Sequence, residues 1–443
     1  MRRITRSVAA FAAATILLAG CSDPGAGDDG GAAPKEGGGD AQAWPEATAK
    51  LDDVTLTIWA AQSSNTIPEG VAKGFEEATG AKVEIVTIPD GYEQNLQTKV
   101  ATGDVPDLAM WQPTTSMLTS LGAKERLQSL DDAPWEKDYV DGILDYGAEL
   151  DGTRYAAFVS APSTMGVWYN KKVFEKQGAD VPKNFDELLT TARAMKKAGQ
   201  TPLHEMGGEW WASQWTVQVL FADAAKDGLW DKVNKNEDTF TGTAIQGAID
   251  QYAQMIDEGL YNADIKTATF NQQAQALLDG DAAMAIATNS LLANMQSLTD
   301  TKTLDETIGF FPISRSGTLA TSLPEQPNAL VAFKTGDDKR EAAAKQFLRY
   351  WLTDGYEAFV TDQNTVSIMQ GVETPDSVPA AAVEANDALQ DSVGSMQSLA
   401  IANPDLAKNL GDMIAGTKTP AQVGEATQAQ FTELAQAMGA EGF

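Results

Sequence analysis

The chain has 443 residues, one cysteine, one histidine and a formal net charge of −30, from 32 Lys and Arg against 62 Asp and Glu. A surface this acidic repels nucleic acid and anionic lipid headgroups, and leaves neutral or cationic ligands open. A single histidine excludes His-rich metal centres and an HExxH helix, and the sequence carries no Walker-type loop and no G-x-S-x-G motif. His204, in TPLHEMG beside a short apolar run, reads as a structural or surface histidine. A pair of carboxylates for glycoside cleavage stays open, because 62 acids offer many pairs. No metal and no cofactor is expected.

The chain begins with Arg2, Arg3 and Arg6, and residues 7–20 are apolar or small. A run of roughly 14 residues has the length of a signal-peptide core and is too short to span a bilayer. Leu18-Ala19-Gly20-Cys21 resembles a bacterial lipobox, in which the cysteine sulfur receives a diacylglycerol and a peptidase cuts before it. Residues 1–20 are therefore expected to be a lipoprotein signal peptide and Cys21 the lipidation site. Residues 21–49 are dominated by Gly, Asp, Ala and Pro, with Trp44 the one bulky side chain. Such a segment buries too little apolar surface to offset its ordering entropy, and reads as a tether with a reach on the order of 30 Å.

Beyond it, strands and helices alternate. VTLTIW (54–59), KVEIVTI (82–88) and PDLAMW (106–111) predict strands; residues 68–79 and 92–102 predict helices closed by Gly80 and Gly103. That alternation argues for an α/β domain with a largely parallel sheet. YAAFV (155–159) and GVWYN (166–170) are strand-like. Asn184 and Glu187 have the spacing to cap a helix running to Ala198. Helices follow over 244–258 and 271–278, with strands over 282–288, 307–313 and 329–333. The rest reads as helical: 339–352, 380–393, 405–414 and 420–438. Ala344, Phe347, Leu348 and Trp351 share one face of the first of these, a core stripe.

Several ordered stretches carry a resemblance: LTIWAAQSS, GFEEATGAKVEIVTI, KVATGDVPDLAMWQ, GVWYNKKVFEKQG, VPKNFDELLTTARAMKKAG, FNQQAQALLDGDAAMAIATNS, GFFPIS and EAAAKQFLRYWLTDGYEAFV. Together, over about residues 52–440, they resemble the extracellular solute-binding proteins of carbohydrate ABC transporters, the group that includes maltose-binding protein. The resemblance implies an α/β, two-lobed periplasmic-binding-protein-like fold with an interlobe cleft, three crossovers and a helical C-terminal region. It places the crossings near 158–160, 316–321 and 364–367. One lobe would then hold 50–158 plus 317–365, and the other 159–316 plus 366–443. It implies a monomeric, lipid-anchored receptor on the extracytoplasmic face, without enzymatic activity, that delivers a carbohydrate to permease subunits.

A sugar presents apolar C–H faces that Trp and Tyr cover, and hydroxyls that amides, carboxylates and hydroxyls bind. In open α/β sheets the site lies beyond the carboxyl ends of strands. Candidates at the ends of expected strands are Gln62, Ser63 and Ser64; Trp111 and Gln112; and Asn289 and Ser290, while Ser163 and Tyr169 follow the first crossing. Glu209, Trp210 and Trp211 come from GGEWWASQW, where one of the adjacent tryptophans is expected to be buried and the other free. Gln326 and Asn328 precede a strand. Asn403 lies where maltose-binding protein has a stacking aromatic, and this chain has none there. The alternatives are a receptor for a cationic solute such as a polyamine, and a secreted glycosidase.

Overall fold

The computed structural model describes residues 44–89 and 91–443; the expected signal peptide, the expected lipidation site Cys21 and the expected tether up to residue 43 lie outside the described residues. The last tether residues are docked rather than free. Trp44 packs edge-on against Trp135 at 4.8 Å, and Arg349 donates to the Trp44 and Pro45 carbonyls. The compact unit accordingly begins at Trp44, ahead of the expected start at residue 50, because an indole with an aromatic partner buries enough surface to order its neighbours.

In chain order the described strands are β1 (Thr55–Ala61), β2 (Lys82–Ile88), β3 (Leu108–Met110), β4 (Glu149–Leu150), β5 (Thr153–Arg154), β6 (Ala156–Phe158), β7 (Ser163–Asn170), β8 (Thr201–Leu203), β9 (Ala282–Ala287), β10 (Ile308–Phe311), β11 (Ala320–Leu323), β12 (Ala329–Ala332) and β13 (Ser392–Gly394). β1 lies parallel between β2 and β3, with Thr55 beside Lys82 and Ile58 beside Leu108. β12 joins β3 antiparallel and β6 joins β12 antiparallel, giving the order β2-β1-β3-β12-β6. The second sheet has the order β13-β11-β7-β9-β8, with β10 also on β7. It is mixed, since β7 runs against β9, β10 and β11.

The helices follow their apolar faces. Glu69–Thr79 turns Val71, Ala72, Phe75 and Thr79 inward and stops at Gly80, whose φ of 89° favours a residue without Cβ. Phe185–Lys197 starts where Asn184 accepts from the Glu187 N–H and the Glu187 carboxylate accepts from the Lys183 N–H. In Asp338–Leu352 the stripe Ala344, Phe347, Leu348 and Trp351 is buried. Among the segments that depart from the sequence reading, two have a clear physical cause. Trp215–Lys226 is a helix that hydrophobic periodicity does not reveal, because it is buried on nearly every side, from Trp215 through Ala222. The helix expected over 380–393 ends at Asp387, and Ser392–Gly394 becomes β13, paired with β11.

Each sheet has its own core. The first gathers Val54 through Val159 and returns with Ala329 through Met369; the second gathers Met165 through Leu323 and returns with Ala381 through Phe431. The chain thus passes between cores just after Val159, between Leu323 and Ala329, and between Met369 and Ala381. The last two passages come later than 316–321 and 364–367, because β11 stays in the second sheet and Ile368 and Met369 stay in the first core. In the first core the fully buried Asp107 carboxylate accepts from the Thr57 N–H and pairs with Arg340 at 2.9 Å, tying helix Asp338–Leu352 to the sheet.

Candidate functional site

Strand direction brings most candidates to two facing edges. β1 and β3 are parallel, so Gln62–Ser64 and Trp111–Gln112 leave the same end of the first sheet. Asn328 enters β12 at that end, and the Trp111 N–H donates to the Ala329 carbonyl. In the second sheet β8 and β9 are parallel, so the loops after Leu203 and Ala287 share an edge. Ser163, at the start of antiparallel β7, belongs to that edge, where the Asn289 side chain accepts from the Thr164 N–H at 3.1 Å. The short passages from β6 to β7 and from β11 to β12 join the two edges. These are the carboxyl ends where open α/β sheets place ligands.

The passages are clasped together. The Asn328 side chain accepts from the Glu325 N–H at 2.6 Å and donates to Ser160 Oγ at 3.0 Å and the Ala161 carbonyl at 2.9 Å. Ser163 Oγ donates to Glu325 Oε2. Burial pushes the Glu325 carboxyl up to about 7, with the Ser163 hydroxyl opposing. Gln326 is buried beside them, and its Nε2 has no partner. Sequence reasoning named Ser163, Gln326 and Asn328 but missed Glu325, which looks like any acid of an acidic chain.

The aromatic surface lies on the second edge. Glycines 207 and 208 seat the loop: their N–H groups donate to the Ile265 and Ala268 carbonyls, and a Cβ on either would meet backbone oxygens at 2.6–2.8 Å. Glu209 Oε2 accepts from the Phe270 N–H at 2.9 Å, fixing the loop to the helix Phe270–Asp279. Trp210–Ala212 is a single 3-10 turn, so the two indoles splay by about 120°. Both are exposed, Trp210 at 50% and Trp211 at 37%. The expectation that one would be buried is overturned: Trp210 rests on Gly411, whose missing side chain leaves room for it, and the Trp211 ring meets those of Phe270 at 5.3 Å and Trp215 at 6.5 Å edge-on. Half-buried Phe270 completes the shelf; it lies one residue ahead of the helix expected over 271–278 and opens the helix observed.

The other candidates differ in what they leave free for a ligand. Trp111 is fully buried, and its Nε1 donates to the Met117 carbonyl at 3.2 Å, so its ring belongs to the first core. Ser64 is buried; Gln62 and Ser63 are exposed, and Gln112 is half-buried. Tyr169 packs on Phe174 and Phe311. It sits six positions along β7 from Ser163, about 20 Å away, because β7 leads away from the edge instead of toward it. Ser290 Oγ lies 2.6 Å from Thr288 Oγ1. Asn403 is exposed in the loop before helix Leu406–Ala415, which packs against the Trp210 turn. His204 is buried with Nδ1 unpartnered, and burial lowers its pKa against the pull of Asp264. No group of three or more His, Cys, Asp or Glu side chains able to hold a metal occurs among the described residues, and none of their helices is long and apolar enough to cross a membrane.

Comparison with known proteins places this architecture. The family described as bacterial extracellular solute-binding protein matches residues 60–358. The alpha-glucosides-binding periplasmic protein AglE of Rhizobium meliloti is 28% identical over 217 residues, 46% of this chain and 47% of that protein. The diacetylchitobiose binding protein NgcE of Streptomyces coelicolor is 29% identical over 217 residues, 46% and 45% of the two chains. The matched region thus spans about half the length of these relatives. Among solved structures, a chitin oligosaccharide binding protein aligns with a TM-score of 0.74 at 20% identity, over 87% of this chain and 99% of that one. RafE in complex with raffinose aligns at 0.70 and 18%, over 86% and 99%. The two-sheet architecture is therefore shared with these two-lobed proteins, and the chain belongs to the bacterial extracellular solute-binding protein family.

Proposed function

We propose that this protein is the substrate-binding component of an ABC importer, capturing a carbohydrate between its two cores and presenting it to permease subunits. The observation that carries the reading is the shelf of exposed Trp210 and Trp211, flanked by half-buried Phe270, on a molecule whose inter-core passages carry a polar clasp. Indoles cover the C–H face of a sugar, and amides and hydroxyls on the facing edge bind its rim. Relatives named for glucosides and diacetylchitobiose, and a fold shared with a raffinose complex, support the same class. The polyamine alternative is weakened because Glu209, the carboxylate in the shelf loop, is committed to the Phe270 N–H. In this reading one lobe comprises residues 44–159 and 329–372 and the other 163–323 and 381–443. They close on the ligand as a hinge, with no bond made or broken. The protein acts as a monomer, anchored through a diacylglycerol on Cys21.

The test is a thermal-shift screen, followed by calorimetry, of the protein lacking residues 1–43. The panel comprises chitooligosaccharides, raffinose, stachyose and galactose, with spermidine as the cationic arm. A ligand at 100 times its Kd stabilises by about 2.7 kcal/mol. Response to spermidine and to no sugar would overturn the carbohydrate reading.

A further inference from the structure

Behind the shelf lies a feature that binding does not require for its own sake. Three glutamine side chains form a closed ring of hydrogen bonds inside the second core. Gln214 Oε1 accepts from Gln397 Nε2 at 2.8 Å and from Gln218 Nε2 at 3.2 Å, and Gln218 Nε2 also donates to Gln397 Oε1 at 2.7 Å. The three residues are 8%, 0% and 5% exposed. The ring's remaining polar atoms all point to backbone. Gln214 Nε2 donates to the Trp211 carbonyl at 3.3 Å, and Gln218 Oε1 accepts from the Met396 N–H at 2.9 Å. Outside the ring, the Gln397 backbone carbonyl accepts from Ser116 Oγ at 3.3 Å, and Ser116 belongs to the opposite half of the molecule.

A buried amide costs desolvation that an apolar side chain of the same size does not. Three such amides in full mutual satisfaction trade core stability for one fixed geometry. Here the geometry fixed is that of the Trp211 peptide at one end and of the short helix Met396–Leu399 at the other. We propose that Gln214, Gln218 and Gln397 are positioning residues for the tryptophan shelf, and that they couple its orientation to the contact between Met396–Leu399 and Ser116 of the facing lobe. Closure that brings Ser116 onto the Gln397 carbonyl is thereby registered at Trp211, which a loose turn on the surface would not feel. The inference rests on the carbohydrate reading of the shelf.

The test is a double-mutant cycle on affinity. Gln397→Met is nearly isosteric and leaves no ring atom orphaned, because Gln214 Oε1 and Gln218 Nε2 still hold each other. Calorimetry with the tightest-binding oligosaccharide of the panel is run on the parent, Gln397→Met, Trp211→Ala and the double variant, below all their melting temperatures. Gln397→Met is expected to weaken binding at least fivefold in the parent and less than twofold once Trp211 is gone. A merely structural role would give equal losses in both backgrounds. Equal losses, or no loss at all, overturn the proposal. Should Gln397→Met not fold, Gln214→Met serves in the same cycle. Hydrogen exchange of the ligand-free protein gives a second readout that needs no sugar: amides of residues 211–214 are expected to exchange at least threefold faster in Gln397→Met. Unchanged exchange overturns the proposal even if the parent binds no sugar, an outcome that would separately defeat the functional reading.

Discussion

The buried Glu205 should make this protein more stable in mild acid than at alkaline pH, and Glu205→Gln should flatten that dependence. The side chain is 3% exposed; Oε1 accepts from the Met206 N–H at 3.0 Å and Oε2 from the Tyr252 hydroxyl at 2.8 Å. Burial outweighs both bonds and pushes its pKa up to about 7 from 4.5. The folded form therefore holds a proton that the unfolded chain releases, so stability is fullest below the unfolded value and is lost as pH rises through the folded one. Linkage over that window is about 2.5 kcal/mol between pH 5 and pH 8. For a cooperative unit of about 400 residues this is roughly 3 °C in Tm, and about twice that if the lobes melt separately. Glu325 contributes with the same sign, as does repulsion within a chain of net charge −30, so the comparison must be between parent and variant at fixed ionic strength. Glutamine preserves the acceptor for Met206, and the Tyr252 hydroxyl can turn to accept from the new amide. Calorimetric scans at pH 5, 6, 7 and 8 should show the Glu205→Gln curve flatter by about 3 °C, with the gain at pH 8. Parallel curves, or a variant less stable at pH 8, would refute the assignment of that carboxyl as a buried acid.

The remaining perturbations separate site from core. Trp210→Ala and Trp211→Ala should each weaken sugar binding at least tenfold by calorimetry while moving Tm little, because both rings are exposed; parent-like affinity in both would remove the shelf from the site. Trp111→Ala should instead lower stability by about 3–5 kcal/mol in denaturant titrations. Measured where it is still folded, its sugar affinity should stay within threefold of the parent. Cys21→Ser should leave an uncleaved precursor that fails to partition with the membrane fraction, and normal processing of that variant would remove the lipid anchor.

The parts of the fold visible in the sequence are those with a period or a cap. β1, β2 and the helix Glu69–Thr79 show alternation, amphipathy and a terminal glycine, each a local cause of the structure formed. The helix Trp215–Lys226 has no such signature, since burial on all sides erases the stripe. β13 is too short and too small in its side chains to be read without its partner β11. The candidate site divides along similar lines. Proximity to a strand end or a crossing puts Ser163, Asn289 and Asn328 on the edges where the structure has them, whereas Tyr169 lies further along β7, because residue order does not reveal that β7 runs away from the edge. It also promoted Trp111, whose indole is claimed by a backbone carbonyl of its own core. Trp210 and Trp211 were legible as a pair, but the seat of Trp210 depends on Gly411, two hundred residues on.

The distribution of chemistry between the two edges implies an order of events. The aromatic area is on the second edge, in Trp210, Trp211 and Phe270, while the first edge contributes polar groups and is joined to it through the clasp around Asn328. On the proposed carbohydrate reading, a ligand lands on the shelf of an open molecule and gains its polar contacts only on closure. Changes to the hinge should then act on departure more than on arrival. Asn328→Ala tests this, since it strips partners from the Glu325 N–H, Ser160 Oγ and the Ala161 carbonyl at once. It should cost about 2–3 kcal/mol of stability, the penalty for orphaned groups in a partly buried site. In stopped-flow measurements with the tightest-binding panel sugar, kon should stay within twofold of the parent and koff should rise at least fivefold. A fall in kon matching the loss of affinity would mean that the clasp shapes the landing surface itself, and the sequential picture would fail.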